Sequence, residues 1–380
     1  MLTVRRVLAL AILALVVLAI SPPGHAAVMA TLLLPHFFPG DVPRPLRLFT
    51  PAPTVRTINV PDAPGRMVAD IYEPGNGGRH PAMVLLLGVN PLPRGHEQVT
   101  TLADGIARTG IVTVVAESDA LLSGEIRADE IDNLVALFHY LEREPEVDAG
   151  RIGFSGFCIG GILELIAAAD ARIADRVSFV NAFSVYADPL DVLRAILTTT
   201  MPTPTGPVPW TPSDLTRQVF VQQAIRTLPS QRDQALLTRE FVEATSLTTQ
   251  EVESLTGLGA QLRSLLRANE PALVDSLLAA LPAEIVGALR RLSPADAAAG
   301  LRARVFLMHD QSDTYLPVSG ARQLAALLPA RTSPRYTEFR LFAHVVPGGI
   351  DDPRLFAGEM FKLVTHIRAV LEAANAGVGA

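Results

Sequence analysis

Cysteine and lysine are almost missing from the 380-residue chain: Cys158 is its only cysteine and Lys362 its only lysine. A single cysteine forms no intramolecular disulfide and cannot build a cysteine-based zinc site. A single lysine removes a Gly-Lys-Ser/Thr phosphate loop and a Ser-Lys dyad, and leaves Lys362 as the sole candidate for an active-site amine. The net charge is −6 and the arginines are scattered, so there is no basic face to hold a nucleic acid. No apolar run reaches the roughly 20 residues of a spanning helix. Nothing in the composition asks for a cofactor or a metal.

The longest apolar run is Val7 to Ile20, fourteen residues, preceded by Arg5-Arg6 and followed by Ser21-Pro-Pro-Gly-His-Ala-Ala27. This is the order of a secretory signal, with Gly24-His25-Ala26 as the cleavage site. Val28 to Phe38 is apolar again, so an uncleaved anchor is the alternative, and a buried helix is a third reading. The first two place the folded part outside the cytoplasm, periplasmic or extracellular, or tethered to the membrane by its N-terminus. An unpaired cysteine in such a compartment favours a functional thiol. Residues 1–27 are therefore expected to be signal or anchor and 28–53 an apolar, Pro-rich linker, with the folded domain beginning near Thr54.

From there, short apolar strands alternate with helical patterns. Ala82–Leu87, Ile111–Ala116 and Arg176–Phe183 read as buried parallel strands, with helices over His96–Arg108 and Glu125–Glu144 between them. Strand-helix alternation at this spacing predicts an α/β protein with a mostly parallel, doubly wound sheet. The alternation stops near Tyr186 and resumes at Arg304–Met308. The intervening block is helical, with a capping box at Thr248/Glu251 and an apolar stripe of Leu255, Leu258, Leu262, Leu265 and Leu266. It is expected to be a helical cap, or lid, over the sheet edge. The predicted division is core 54–186, lid 187–302, core 303–375.

The chemistry gathers around Arg151-Ile-Gly-Phe-Ser-Gly-Phe-Cys158-Ile-Gly-Gly161. A buried strand, a turn too tight for Cβ atoms at Gly156 and Gly160, and a following helix form a nucleophile elbow with Cys158 at its tip. The helix dipole there favours a thiolate. The competing reading is a buried, inert thiol. In a parallel sheet the carboxyl ends of the strands converge on one edge. Asp313 follows the strand ending at Met308, and His344 follows the strand Tyr336–Phe342. The order nucleophile, acid, histidine is that of the α/β-hydrolases. His344 would take the thiol proton and Asp313 would hold its tautomer. The backbone N–H groups of Ile159 and of Val89, in Gly88-Val89-Asn90, are the candidate oxyanion donors. Asp310 and Asp188 are rivals for the acid. His139, His309 and His366 read as structural, and Glu117 as a satisfied loop carboxylate.

Gly156-Phe-Cys-Ile-Gly-Gly161 resembles the elbow of the dienelactone hydrolase family, and Asp313 and His344 fall where its acid and base stand. The resemblance covers about 54–186 and 303–373. It implies an α/β-hydrolase fold and hydrolysis of a small-molecule carboxylic ester or lactone through a Cys-His-Asp triad. The chain departs from the family in its long helical insertion and in having no Glu in Gly88–Arg94 to contact the thiol, which leaves Glu97 as the nearest. Two alternatives stay open: a cysteine-dependent thioesterase or acyltransferase, and a catalytically silent, membrane-tethered binding protein of the same fold.

Overall fold

The computed structural model describes residues 21–89, 93–348 and 350–378. The expected signal segment before Ser21, and Asn90 of the oxyanion loop, lie outside them.

Eight strands form one sheet: β1 (Thr54–Asn59), β2 (Met67–Glu73), β3 (His80–Leu86), β4 (Val112–Ser118), β5 (Val147–Phe157), β6 (Val177–Phe183), β7 (Arg304–Asp310) and β8 (Arg335–Phe339). Their order is β1-β2-β4-β3-β5-β6-β7-β8. β1 and β2 pair antiparallel, β2 joins β4 antiparallel, and every other pairing is parallel. β3 is buried along its whole length, as a central strand covered on both faces must be. Because side chains alternate, Val84 and Leu86 enter one core and Met83 and Leu85 the other.

The helices are α1 (Pro22–Leu33), α2 (Glu97–Arg108), α3 (Glu130–Leu141) and α4 (Ile159–Ala168), then six in the inserted block. These six are α5 (Pro189–Thr198), α6 (Asp214–Arg226), α7 (Gln231–Phe241), α8 (Gly257–Arg267), α9 (Pro271–Ala279) and α10 (Ala283–Arg290), and the block also has the short helices Thr249–Glu253 and Pro294–Ala297. α11 (Val318–Leu327) and α12 (Pro353–Ala376) complete the chain. α3 and α4 cover one face of the sheet; α1, α2 and α12 cover the other. α3 is shorter than its sequence pattern suggests: Asp129 and Glu130 begin it, and the residues from Glu125 are loop.

Residues 28–53 differ from the linker expected of them. Ser21 caps α1, its hydroxyl accepting the Gly24 N–H, and Ala26, Ala30 and Leu33 form a buried stripe at i, i+4 and i+7. Small side chains at two of these positions let α1 lie close on α12, so the segment is part of the second core. The cleavage point read at Ala26 falls inside this helix. Among the described residues, no single helix is long and apolar enough to cross a membrane.

The inserted block has a core of its own, made by Leu193, Val221, Leu237, Leu262, Leu265 and Ile285. The leucine stripe of α8 is spent there, and the Thr248/Glu251 capping box is formed. The block is pinned to the acid loop: the Trp210 indole N–H donates to the Asp313 carbonyl (2.8 Å), Ser213 N–H to that of Thr314 (2.7 Å) and Thr216 Oγ1 to that of Tyr315 (2.9 Å).

Candidate active site

Sheet register sets the site. Phe157 pairs with Phe183, Phe183 with Met308, and Phe339 with Asp310, so β5 to β8 end side by side. The next residues extend the ladder: Cys158 N–H donates to the Phe183 carbonyl and Ser184 N–H to that of Met308, each at 2.8 Å.

Cys158 sits at φ +54°, ψ −128°, the strained turn between β5 and α4. The turn closes because Gly160 packs on the β3 backbone, where a Cβ would come 2.1 Å from the Leu86 carbonyl oxygen. Gly88 has a second reason to be glycine: a Cβ there would lie 2.9 Å from that of Cys158 and 3.0 Å from Ile159 N. This approach keeps the first-turn amide of α4 open, and Gly88, Val89 and Ile159 all line the cavity at Cys158.

His344 is at the tip of a two-residue hairpin, Phe342–Ala343 pairing with Val346–Pro347, which the sequence pattern did not show. β8 ends at Phe339, three residues earlier than the sequence pattern suggests. At the tip His344 takes φ +63°. Cys158, Ser184 and His344 are three of the seven non-glycine residues with positive φ among those described. Strain of this kind is held by surrounding structure and gathers where side chains must be aimed.

His344 Nδ1 lies 2.9 Å from Asp313 Oδ2 and 3.0 Å from Ser184 Oγ. Asp313 is buried and fully used. Its Oδ1 accepts the backbone N–H of Tyr315 (2.7 Å) and Leu316 (3.1 Å), and its Oδ2 accepts from Ser184 and His344. Burial pushes the Asp313 carboxyl up, but His344, His309 and Ser184 together outweigh it and hold it down at about 2. Burial likewise opposes a charged His344. The Cys158 sulfur first, then Asp313, reverse this and raise it to about 10. Tyr315 stacks on the His344 ring at 4.3 Å and 23°, fixing its plane.

The rivals are occupied elsewhere. Asp310 accepts the Ser312 N–H and hydroxyl through Oδ1 and the Phe342 N–H (2.8 Å) through Oδ2, which ties the hairpin to β7. Asp188 caps α5 through the Leu190 N–H (2.8 Å). His309 Nε2 donates to the Leu316 carbonyl (3.0 Å), beside the acid but facing its loop, and burial lowers its pKa. His366 bridges Thr337 and Asn181 inside the core, and His139 meets Glu142 on a helix surface. Glu117 is held by Arg94, Glu97 is exposed at the start of α2, and Lys362 is paired with Glu359. Among the described residues no cluster of three or more His, Cys, Asp or Glu could hold a metal.

Ser184 carried no motif, yet as the residue after an apolar strand it stands at the same sheet edge as the other three. Trp210 and Tyr315 gave no sequence signal, because their roles depend on the cap meeting the acid loop. The cavity at Cys158 measures about 460 Å³ and its walls are mostly apolar. Leu215, Thr216, Val219 and Phe220 of α6 close it from the cap side.

No protein-family model matches the chain, and no curated protein does. Among solved structures, a Mycobacterium tuberculosis puromycin-hydrolyzing peptidase is similar with a TM-score of 0.50 and 14% identity, over 86% of this chain and 40% of that one. This is the α/β-hydrolase fold. A 2,6-dihydroxy-pseudo-oxynicotine hydrolase gives 0.48 at 14% identity, over 85% of this chain and 70% of that one. The Pyrococcus horikoshii acylaminoacyl peptidase gives 0.47 at 13%, over 87% and 43%. The chain spans less than half the length of the two peptidases.

Proposed function

We propose that the protein is an α/β-hydrolase enzyme that cleaves a small-molecule carboxylic ester or lactone, with Cys158 as nucleophile, His344 as acid and base, and Asp313 as its partner. The observation that carries this reading is the arrangement of Cys158, His344 and Asp313 at one sheet edge, beside a largely apolar cavity. The Gly156-Phe-Cys-Ile-Gly-Gly161 elbow supports a dienelactone-hydrolase-like use of sulfur in place of the usual serine. The similar puromycin-hydrolyzing peptidase supports a hydrolytic activity more broadly.

In the resting site an imidazolium at His344 balances a negative Cys158 Sγ, with the α4 dipole adding to the stabilisation. Sγ attacks the acyl carbon, and the Ile159 and Val89 amides receive the oxyanion. As the C–O bond breaks, His344 gives its proton to the leaving alkoxide, leaving a thioester. The sulfur is then uncharged, so the largest influence raising His344 is gone and the ring becomes a base. It takes a proton from water, the hydroxide adds to the thioester, and the C–S bond breaks to return thiolate and imidazolium. Asp313 keeps Nδ1 protonated throughout and so presents the other ring nitrogen to the reaction.

A panel of p-nitrophenyl esters and simple lactones tests this directly. Wild type should turn over and Cys158→Ala should not, while retaining its circular dichroism. Equal turnover by the two proteins would remove the mechanism.

A further inference from the structure

The single turn Leu34–Phe37 that follows α1 packs against α2. His36 is buried there on Gly105, where a Cβ would come 2.5 Å from its Cγ. Its ring anchors the turn and leaves the half-buried Phe37 on the wall of the cavity at Cys158. Val99 and Leu102, one turn apart on α2, continue that wall. Phe37, ahead of β1, and α6 of the cap both lie outside the stretches that resemble the dienelactone hydrolases. These parts of the cavity wall are therefore the chain's own additions to the hydrolase core.

Strand order decides which part of a substrate meets this wall. β3 flanks β5 on one side, and β6, β7 and β8 follow on the other. α2 packs on β4, beyond β3, whereas His344 stands after β8. At an acyl carbon on Cys158 Sγ, the carbonyl oxygen turns to the Val89 and Ile159 amides. The leaving oxygen must face His344 to receive a proton. The acyl chain is left with the direction of Leu85, Leu102 and Phe37. Among the described residues no Asp, Glu, Lys or Arg lines the cavity, which makes it a poor place for an ionised chain. Its volume of about 460 Å³ is within the ordinary range for small-molecule pockets, about 300–1,000 Å³.

Phe37 also has a far side. A void of about 50 Å³ lies behind it in the second core, and Phe37, Leu85, Leu102 and Phe157 line both spaces and so divide them. The polar side chains around the void are already paired: Asn181 Nδ2 donates to Ser155 Oγ (3.0 Å) and His366 Nε2 to Asn181 Oδ1 (2.9 Å). The void is thus an apolar continuation of the pocket, closed off by the partition. Leu85 and Phe157 belong to sheet strands and Leu102 to α2, whereas Phe37 stands on a single turn. Its size can change with the least effect on the sheet.

We propose that the substrate carries an uncharged aliphatic acyl chain, and that Phe37 is the end stop that sets the longest chain accepted. The assignment rests on the hydrolytic reading above in calling the ligand a substrate and in using His344 to orient it.

The test is kcat/KM for p-nitrophenyl esters of the even-numbered acids from two to sixteen carbons. A misfitting methylene in an apolar pocket costs about tenfold or more, so wild type should show an optimum length with at least a tenfold fall beyond it. In Phe37→Ala that fall should begin at least two carbons later, and in Phe37→Trp at least two carbons earlier. The same cut-off in all three proteins, or none in wild type, overturns the proposal. Should neither variant fold, wild type decides alone. Ethyl esters of monocarboxylic acids should be preferred at least tenfold over the monoethyl esters of dicarboxylic acids of equal length, and parity overturns. Calorimetric Kd values for the ethyl esters, with Cys158→Ala in the presence and absence of Phe37→Ala, separate the two claims. A length limit in binding that moves with Phe37, without turnover by wild type, sinks the hydrolytic reading and leaves the pocket in place. Binding indifferent to length sinks the pocket.

Discussion

The Asp313 Oδ2 that stands 2.9 Å from His344 Nδ1 also accepts the Ser184 hydroxyl, so the acid is shared between a serine and a histidine. Ser184 reaches that oxygen because φ +57° turns it back over the end of β6. A hydrogen bond to a charged group is worth about 1.5–3 kcal/mol. Ser184→Ala should therefore lower kcat roughly tenfold or more and slow Cys158 alkylation at neutral pH, with the fold retained. A variant that melts earlier but alkylates like wild type would make Ser184 purely structural.

Asp313 and Asp310 are three residues apart with different tasks, and substitution should separate them. Asp313→Asn allows the wrong tautomer of His344 and should cost at least about 10²-fold in kcat. Asp310→Asn weakens the bonds to Ser312 and Phe342, so it should lower Tm by about 1–3 °C with kcat near wild type, since each kcal/mol moves a chain of this size by roughly 1 °C. Circular dichroism melts and ester kinetics on the two proteins give the answer. The reverse pattern would move the acid to Asp310.

The oxyanion assignment rests on how closely Gly88 approaches the elbow. Gly88→Ala would bring a Cβ within 3.0 Å of Ile159 N, crowding the place of the developing charge. Loss of one oxyanion donor costs about 10²–10³ in kcat, and a loss of that order is expected here with the pH profile of Cys158 alkylation unchanged. Full turnover in Gly88→Ala would remove this loop from the mechanism.

Much of the fold was legible because its signals are local. A fully buried strand such as β3 reads as an unbroken apolar run, and strand-helix alternation predicts the parallel sheet that carries it. The elbow is legible for the same reason: Gly156, Cys158 and Gly160 sit within five residues, and one steric demand explains them all. Asp313 and His344 were read as partners of Cys158 through the carboxyl-end rule, which needs only strand ends. The hairpin bearing His344 escaped notice because two-residue strands are too short for a period. The packing of the segment from Pro22 to Phe37 was not legible for a different reason. Its alanines and leucines suit a signal sequence, a linker or a helix laid on α12, and the contact with α12 is not local in sequence. His36 was missed with it. Nothing near it in sequence shows that Gly105, some seventy residues on, opens a place for its ring.

The most direct measurement of the central claim is the rate of Cys158 alkylation by iodoacetamide against pH, in wild type and His344→Ala. Cys158 is the only thiol, so the label reports on one atom. His344 is held at about 10. Its proton therefore stays in place through neutrality, beside the sulfur. Wild type should label fast at pH 7, with no further rise through about 8.5, where an ordinary thiol titrates. In His344→Ala the rate at pH 7 should drop and a rise through that ordinary range should appear. Identical profiles in the two proteins, both rising near 8.5, would contradict the Cys158–His344 pair and with it the proposed chemistry.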